Sequence, residues 1–413
     1  MADSFRVTRR GLLKSAGAMA LFGTGFLSQT HAEVPAFEVL SIQQVSQTPQ
    51  YYSAWPTVGV TKDDELLVVA SGGRESHLCP FGRVELYRSS DRGQTWRWPQ
   101  TLYDSPIDDR DAGILVTDKG TILVTSFTST AYLTYVLADE TARRAAGEKG
   151  QLGDGQYQHW LDVHNRLSEE ERTRELGSWI FRSTDGGVNW EQRRRIPVNS
   201  PHGPFQLKSG RILYAGVEFW AEERAKYYQQ ERAAGSKAVP SGHEQSVWYS
   251  DDDGQSWDFL SAIPVREGDS PKEYHELHGV EAADGTIIVQ IRNQNPRNDK
   301  ETLQTESTDG GKTWSVPHEI GVWGFPSHLL RLSDGRLLMT YGYRREPYGE
   351  HARLSDDCGK SWSEPMVIAT IDFGPDLGYP STVQLSDGSL VTVWYETPYN
   401  ENTRLMAARW VLK

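Results

Sequence analysis

Cysteine is almost absent: Cys79 and Cys358 are the only two in 413 residues. Two cysteines cannot build a disulfide framework, so the fold must rest on its apolar core. No His-Glu-x-x-His motif occurs, and His275 and His278 would face opposite sides of a strand. The residues therefore call for no metal and no other cofactor. Positive charge is also short, with 43 Lys and Arg against 56 Asp and Glu and a net charge of −13. That excludes nucleic acid as the expected partner. Past the N-terminal segment, no apolar run is long enough to cross a bilayer, which excludes an integral membrane protein.

The N-terminal segment is of another kind. Arg6, Arg9 and Arg10 precede an apolar run from Gly11 to Leu27 that ends in Thr30-His31-Ala32, a small-x-small cleavage pattern. Lys14, Ser15 and several glycines interrupt the run, making it a poor permanent span. Thr8-Arg9-Arg10-Gly11-Leu12-Leu13-Lys14 resembles the twin-arginine export signal of bacteria. Residues 1–32 are thus expected to be a leader and 33–413 one domain that is periplasmic or secreted.

What the chain has in quantity is repetition. Six times an apolar strand meets a tight polar turn and a second apolar strand follows. The turns fall at Asp63-Asp64, Asp118-Lys119-Gly120, Ser209-Gly210, Asp284-Gly285, Asp334-Gly335 and Asp387-Gly388. Asp-Gly and Ser-Gly between apolar runs are hairpin signals, because glycine supplies the positive φ such turns demand. A second motif, Ser-x-Asp-x-Gly-x-(Thr/Ser/Asn)-Trp, starts at Ser89, Ser183, Ser250, Ser307 and Ser355. Its aspartate and hydroxyl groups suit a tight turn, and its tryptophan suits packing between sheets. These copies are read as structural.

The five motifs match the Asp box of the sialidase superfamily, and the resemblance covers nearly all of residues 33–413. It implies an all-β fold, a six-bladed β-propeller in which each box joins the outer two strands of a blade. The sixth hairpin lacks a box. Its blade is expected to close through a strand around Phe37–Ile42 beside Arg404–Leu412, which would leave no open edge. Two polar insertions, 138–176 and 220–238, read as helical, either lids beside a site or solvated decoration.

Antiparallel pairing puts the start of each first strand and the end of each second strand at one end of a blade. About nine residues before each turn glycine stand Pro56, Asp111, Pro201, Glu276, Pro326 and Tyr379. Trp55, Asp109, Arg110, His202, His278 and His328 lie within two positions. The other flank carries Arg74, Glu218, Arg292, Arg344 with Arg345, and Glu396. Titratable groups converging in one register mark a candidate pocket.

The resemblance assigns roles to some of them. Glu276 through Asp284-Gly285 to Arg292-Asn293 is similar to the family's glutamate–hairpin–arginine unit. Gly378-Tyr379-Pro380-Ser381 resembles the stretch bearing the nucleophilic tyrosine, and Tyr395-Glu396 resembles the closing Tyr-Glu. Arg344 or Arg345 resembles the third arginine of the carboxylate-binding triad. A phenol paired with a glutamate suits attack beside a substrate carboxylate, which would repel a charged nucleophile. Arginines suit that carboxylate.

Two parts of the family pattern are missing. Ser53-Ala54-Trp55-Pro56 stands where the first arginine belongs, and Ser71 to Pro80 holds no aspartate for the acid. Arg74 is a candidate replacement for the arginine, with Arg110 at the same end. Glu75 or His77 is a candidate acid, and Asp109 or Asp111 of the second blade another. His202, His278 and His328 have no place in the pattern and suit proton transfer or hydroxyl binding. The expected function is an exported glycoside hydrolase acting on a terminal acidic sugar of a glycan. A lyase acting on uronic-acid glycans and a non-catalytic sugar-binding propeller share the same fold.

Overall fold

The hairpins expected at the six polar turns form the inner two strands of six separate four-stranded sheets. The computed structural model describes residues 34–47, 51–219, 241–398 and 402–413. Leader residues 1–32 and insertion 220–238 lie outside the described residues. Each sheet is an antiparallel meander, and the first strands of neighbouring sheets meet around a common axis. Blade 1 runs from Tyr52–Val60 to Gln100–Tyr103, blade 2 from Asp108–Val116 to Arg194–Ile196, and blade 3 from Phe205–Gln206 to Asp258–Ala262. Blade 4 runs from Tyr274–Glu281 to His318–Trp323 and blade 5 from Ser327–Arg331 to Met366–Thr370. Blade 6 takes Leu377–Gln384, Leu390–Glu396 and Arg404–Leu412 from one end of the chain and Phe37–Gln44 from the other.

The core is divided among the blade interfaces. Val58 and Val68 of blade 1 pack with Val383 and Val393 of blade 6, and each other neighbouring pair has its own buried cluster. Burial of these apolar faces drives the sheets together. Near the axis the approach is close enough that a Cβ on Gly113 would lie 2.4 Å from the Gly203 amide nitrogen. The ring closes where blade 6 meets blade 1. Asp64 accepts from the Ser386 amide at 2.9 Å, and Arg92 pairs with both Asp64 and Asp387.

The five boxes join third strand to fourth, as the resemblance implied. In the first, Asp91 Oδ1 accepts from Ser89 Oγ at 2.7 Å and from the Thr95 amide at 2.9 Å, while Gly93 donates to Ser89 Oγ. Their tryptophans reach the preceding blade: Trp314 Nε1 donates to Ser261 Oγ at 2.9 Å, and Trp362 Nε1 to Gln304 Oε1 at 3.2 Å.

The first insertion is helical, with Ala138–Ala145, Asp154–Asn165 and Glu169–Glu175 after an irregular turn at Leu133–Leu137. Ser168 caps the last helix with Glu171 in a reciprocal capping box. The insertion packs on the blade 1 loop through buried Cys79, Tyr132, Leu137 and Trp160, and Phe81 stacks on His159. Among the described residues no helix is long and apolar enough to cross a membrane.

Candidate active site

Three inner strands are distorted at the same end. The ladder is interrupted between Ala54 and Thr57, Arg110 and Gly113, and Gly378 and Ser381. Trp55, Asp111 and Tyr379 lie within these breaks at φ of 55°, 45° and 55°. Blade 4 breaks between Tyr274 and Leu277, around Glu276. A bulge re-aims a side chain, and positive φ outside glycine is uncommon, so the shared distortion marks a functional end of the axis.

There Glu276, Arg292 and Tyr379 form a closed triangle. The Tyr379 hydroxyl donates to Glu276 Oε1 at 2.6 Å, and Arg292 Nη1 donates to both Glu276 oxygens at 2.8 and 2.9 Å and to the phenol oxygen at 3.1 Å. With its amide oriented to satisfy both groups, Gln294 accepts from Arg292 Nη2 and Nε at 2.8 and 2.9 Å. Burial acts to raise the Glu276 pKa, but the Arg292 charge and the Tyr379 hydrogen bond outweigh it and hold the carboxyl below its usual range. Burial and the Glu276 charge push the Tyr379 phenol well up, so it is neutral at rest.

Asp111 faces the same triangle. It is buried, and its Oδ1 has no hydrogen-bond partner. Burial first, then the Glu276 charge, raise its pKa to about 6 against the opposing pull of Arg110 and Arg74. Asp109, two residues earlier, turns elsewhere: its Oδ2 accepts from the Ser105 amide at 2.6 Å, and burial raises it to about 8.

Trp55, in the stretch where the resemblance expects an arginine, lies at the same end. Arg110 lies over its ring at 4.4 Å and Arg74 at 5.1 Å, while His77 meets it edge-on at 5.0 Å. Arg74 is fully buried and clamped by Asp108 through both Nη atoms, at 2.5 and 2.9 Å. Arg110 Nη1 bonds His77 O at 2.8 Å and Asp108 Oδ2 at 3.3 Å. His77 is exposed in the cleft, and its Nδ1 lies 2.9 Å from the Tyr52 hydroxyl. Desolvation in the cleft and the Arg110 charge lower its pKa to about 4. Tyr52 donates to Asp376, which also accepts from Tyr395 and Thr397.

Arg344 stands over the Tyr379 ring at 5.8 Å and over Phe325 at 5.0 Å. It makes no ion pair among the described residues, and its Nε and Nη2 have no hydrogen-bond partner. Glu350, fully buried, also has two unpartnered oxygens, and burial raises its pKa well above normal against the pull of Arg344. Glu350 and Asp376 carried no signal in the register, since Glu350 lies at the start of a third strand and Asp376 lies three residues before Tyr379.

Besides the clamped Arg74, four candidates sit apart from this cluster or are fully occupied. Glu75 accepts from Gln156 at 2.9 Å and Trp160 Nε1 at 2.8 Å, tying the blade 1 loop to the helical insertion. Arg345 is exposed and stacks on Trp323 at 3.7 Å. Glu396 is held by Trp394 and Arg404. Asp109 faces Ser105, as above. His202, His278 and His328 form a buried cluster on the axis, with the last two stacked at 4.4 Å. Backbone amides of Leu329 and Thr382 donate to Nδ1 of His278 and His328, while neither His202 nitrogen has a partner. The His202 ring centroid lies 6.4 Å from that of Tyr379. Among the described residues no group of three or more His, Cys, Asp or Glu is arranged to hold a metal ion.

Boxes, blades and this convergent end define a sialidase-like propeller. Residues 157–392 match the BNR repeat-like domain, more than half of the chain, and the protein belongs to that family. No curated protein sequence matches it. Among solved structures it is similar to a Dyadobacter fermentans protein of unknown function, at 22% identity and a TM-score of 0.69, over 92% of this chain and 100% of that one. It is similar to the NanB sialidase of Streptococcus pneumoniae, at 14% identity and a TM-score of 0.58, over 90% and 70% of the two chains. The intramolecular trans-sialidase of Ruminococcus gnavus aligns at 12% identity and a TM-score of 0.56, over 90% and 97%. Likeness at these identities establishes the fold and leaves chemistry to the site.

Proposed function

We propose that this protein is an exported glycoside hydrolase that removes a terminal acidic sugar from a glycan. The observation that carries the reading is the Tyr379–Glu276–Arg292 triangle, with the unpaired Arg344 guanidinium beside it. A partly buried cation without a counter-ion favours an anionic ligand, and a guanidinium fork suits a carboxylate. Arg110, reaching from blade 2 over Trp55 and paired with Asp108, is a further guanidinium at this end.

In the first step the Tyr379 oxygen attacks the anomeric carbon and its proton passes to Glu276 Oε1. Asp111, whose raised pKa suits a proton donor, protonates the departing glycosidic oxygen. In the second step ionised Asp111 takes a proton from water, the water oxygen bonds to the anomeric carbon, and Tyr379 leaves with the proton returned by Glu276. Arg292 holds the pair in register throughout. Export rests on the twin-arginine-like leader at residues 1–32.

The test is release of 4-methylumbelliferone from its N-acetylneuraminic acid and glucuronic acid glycosides, with Tyr379→Phe as control. Release by the wild type that the variant loses supports the reading. Intact release by Tyr379→Phe removes the tyrosine nucleophile, and an unsaturated product from a uronate glycan would make the enzyme a lyase.

A further inference from the structure

Between the outer strand of blade 4 and the sheet of blade 5 lies a cavity of about 460 Å³. Its walls include Trp323, Tyr341, Tyr343, Tyr348 and His351. That volume falls within the roughly 300–1,000 Å³ of small-molecule sites. The cleft is not closed by packing: Val367 on its wall is 44% exposed, and nothing lies within 4 Å of a Cβ built on Gly321. Polar groups are set among the rings. His351 is 8% exposed and its Nδ1 has no hydrogen-bond partner, nor has Trp323 Nε1.

The cleft abuts the active site across a wall of touching rings. Arg344 and Arg292 both lie over Phe325, Phe325 meets Trp323 at 6.0 Å, and Trp323 meets Tyr343 at 5.5 Å. Tyr343 stacks on His351 at 4.6 Å. Arg345 lies on Trp323, and Arg353 on the cavity wall donates to the Tyr341 hydroxyl. Flat aromatic faces with scattered donors and acceptors fit the C–H faces and hydroxyl edges of pyranose rings, and the two guanidiniums favour a chain that carries negative charge.

We propose that this cleft is a second sugar subsite, which takes the residues next along an acidic glycan whose terminal sugar sits at Tyr379. The proposal rests on the glycosidase reading, and it makes the enzyme selective for oligosaccharides over simple glycosides. Two variants probe it from opposite directions: Tyr343→Ala removes an aromatic wall, and Val367→Trp fills the cleft from its exposed side. Each is assayed on a 4-methylumbelliferyl glycoside and on an oligosaccharide ending in the same sugar. The expected result is a rise in KM of about three- to tenfold for the oligosaccharide, with the short glycoside unchanged. Equal effects on both substrates, or none on either, would overturn it. Loss of the glycosidase reading is recognised separately, because Tyr379→Phe then stays active while the ratio between the two substrates can still be read. If neither substrate is cleaved, calorimetry with 3′-sialyllactose and a trigalacturonate decides. Weaker binding by Val367→Trp than by wild type keeps the subsite, and equal or absent binding removes it.

Discussion

The Tyr379 hydroxyl lies 2.6 Å from Glu276 Oε1 although 103 residues separate them in the chain. Arg292 bridges the two, so the phenol is joined to its proton acceptor before any substrate arrives. Tyr379→Phe keeps the ring and removes the attacking oxygen, and is expected to lower kcat roughly 10,000-fold, in the range seen when one member of a catalytic unit is lost. Glu276→Gln keeps the shape and removes the proton acceptor, for a loss of about 100- to 10,000-fold. Steady-state kinetics on the aryl glycoside checks both. A Glu276→Gln enzyme with unchanged kcat would separate the glutamate from the chemistry.

Asp111 sets the expected pH profile. As an acid it must carry its proton, and burial with the nearby Glu276 charge places its pKa at about 6. Glu276 must be ionised, and Arg292 with Tyr379 holds it below the usual carboxylate range. The kcat/KM profile is therefore a bell whose alkaline limb falls near pH 6. Asp111→Asn removes that limb and costs about 100- to 10,000-fold on substrates with poor leaving groups. Aryl glycosides, whose leaving group needs less protonation, lose less. An alkaline limb that survives in Asp111→Asn would assign the acid to another group.

Much of this site was legible before any coordinates. The six turns announce themselves because few residues tolerate positive φ, and counting back from them finds Tyr379 and Glu276, while the flank after the second strand brings Arg292 to the same end. The Asp boxes announce the outer strands for a related reason, since their hydrogen bonds lie within the motif. Side-chain direction was not legible. An undistorted strand would put Asp109 and Asp111 on one face, but the bulge at Asp111 breaks alternation, so the two point apart in a manner no spacing rule foresees. Occupancy was equally hidden. Arg74 and Glu396 stand in the right register, yet Asp108 and Arg404 already engage them. Glu350 lies at the start of the third strand of blade 5, outside any hairpin flank, where nothing but its burial draws notice.

Arg344 tests the acidic-sugar assignment. Its guanidinium faces Tyr379 without a counter-ion among the described residues. Arg344→Lys retains charge and loses the fork, and hydrogen bonds to charged groups contribute about 1.5–3 kcal/mol each. KM for an acidic glycoside is therefore expected to rise at least tenfold, while a neutral glycoside analogue lacking the carboxylate gains relative to it. Direct comparison of the two substrates in wild type and variant reads the carboxylate contact. A variant that loses both equally would place Arg344 in the framework instead.

The three axial histidines make a prediction about stability. Burial lowers the pKa of His202, and of His278 and His328 with it, so all three imidazoles stay neutral in the folded chain. In the unfolded chain each titrates near the ordinary value of about 6.5. Below that pH the unfolded chain binds more protons than the native one, so their contribution falls as pH falls. Asp109, raised by burial to about 8, acts in the opposite sense, losing stability as pH rises toward 8. Wild-type stability alone mixes these effects, so the informative quantity is a difference. His202 has no partner on either nitrogen, and His202→Phe replaces it with a ring that cannot titrate. Between pH 6.5 and 5.5 the unfolding free energy of the variant relative to wild type is expected to shift in its favour by about 1 kcal/mol, approaching 1.4 kcal/mol per unit below that. Urea titrations at pH 7.5, 6.5, 5.5 and 4.5 measure it, and a difference that stays constant would mean that His202 titrates in the folded protein as it does in the unfolded chain.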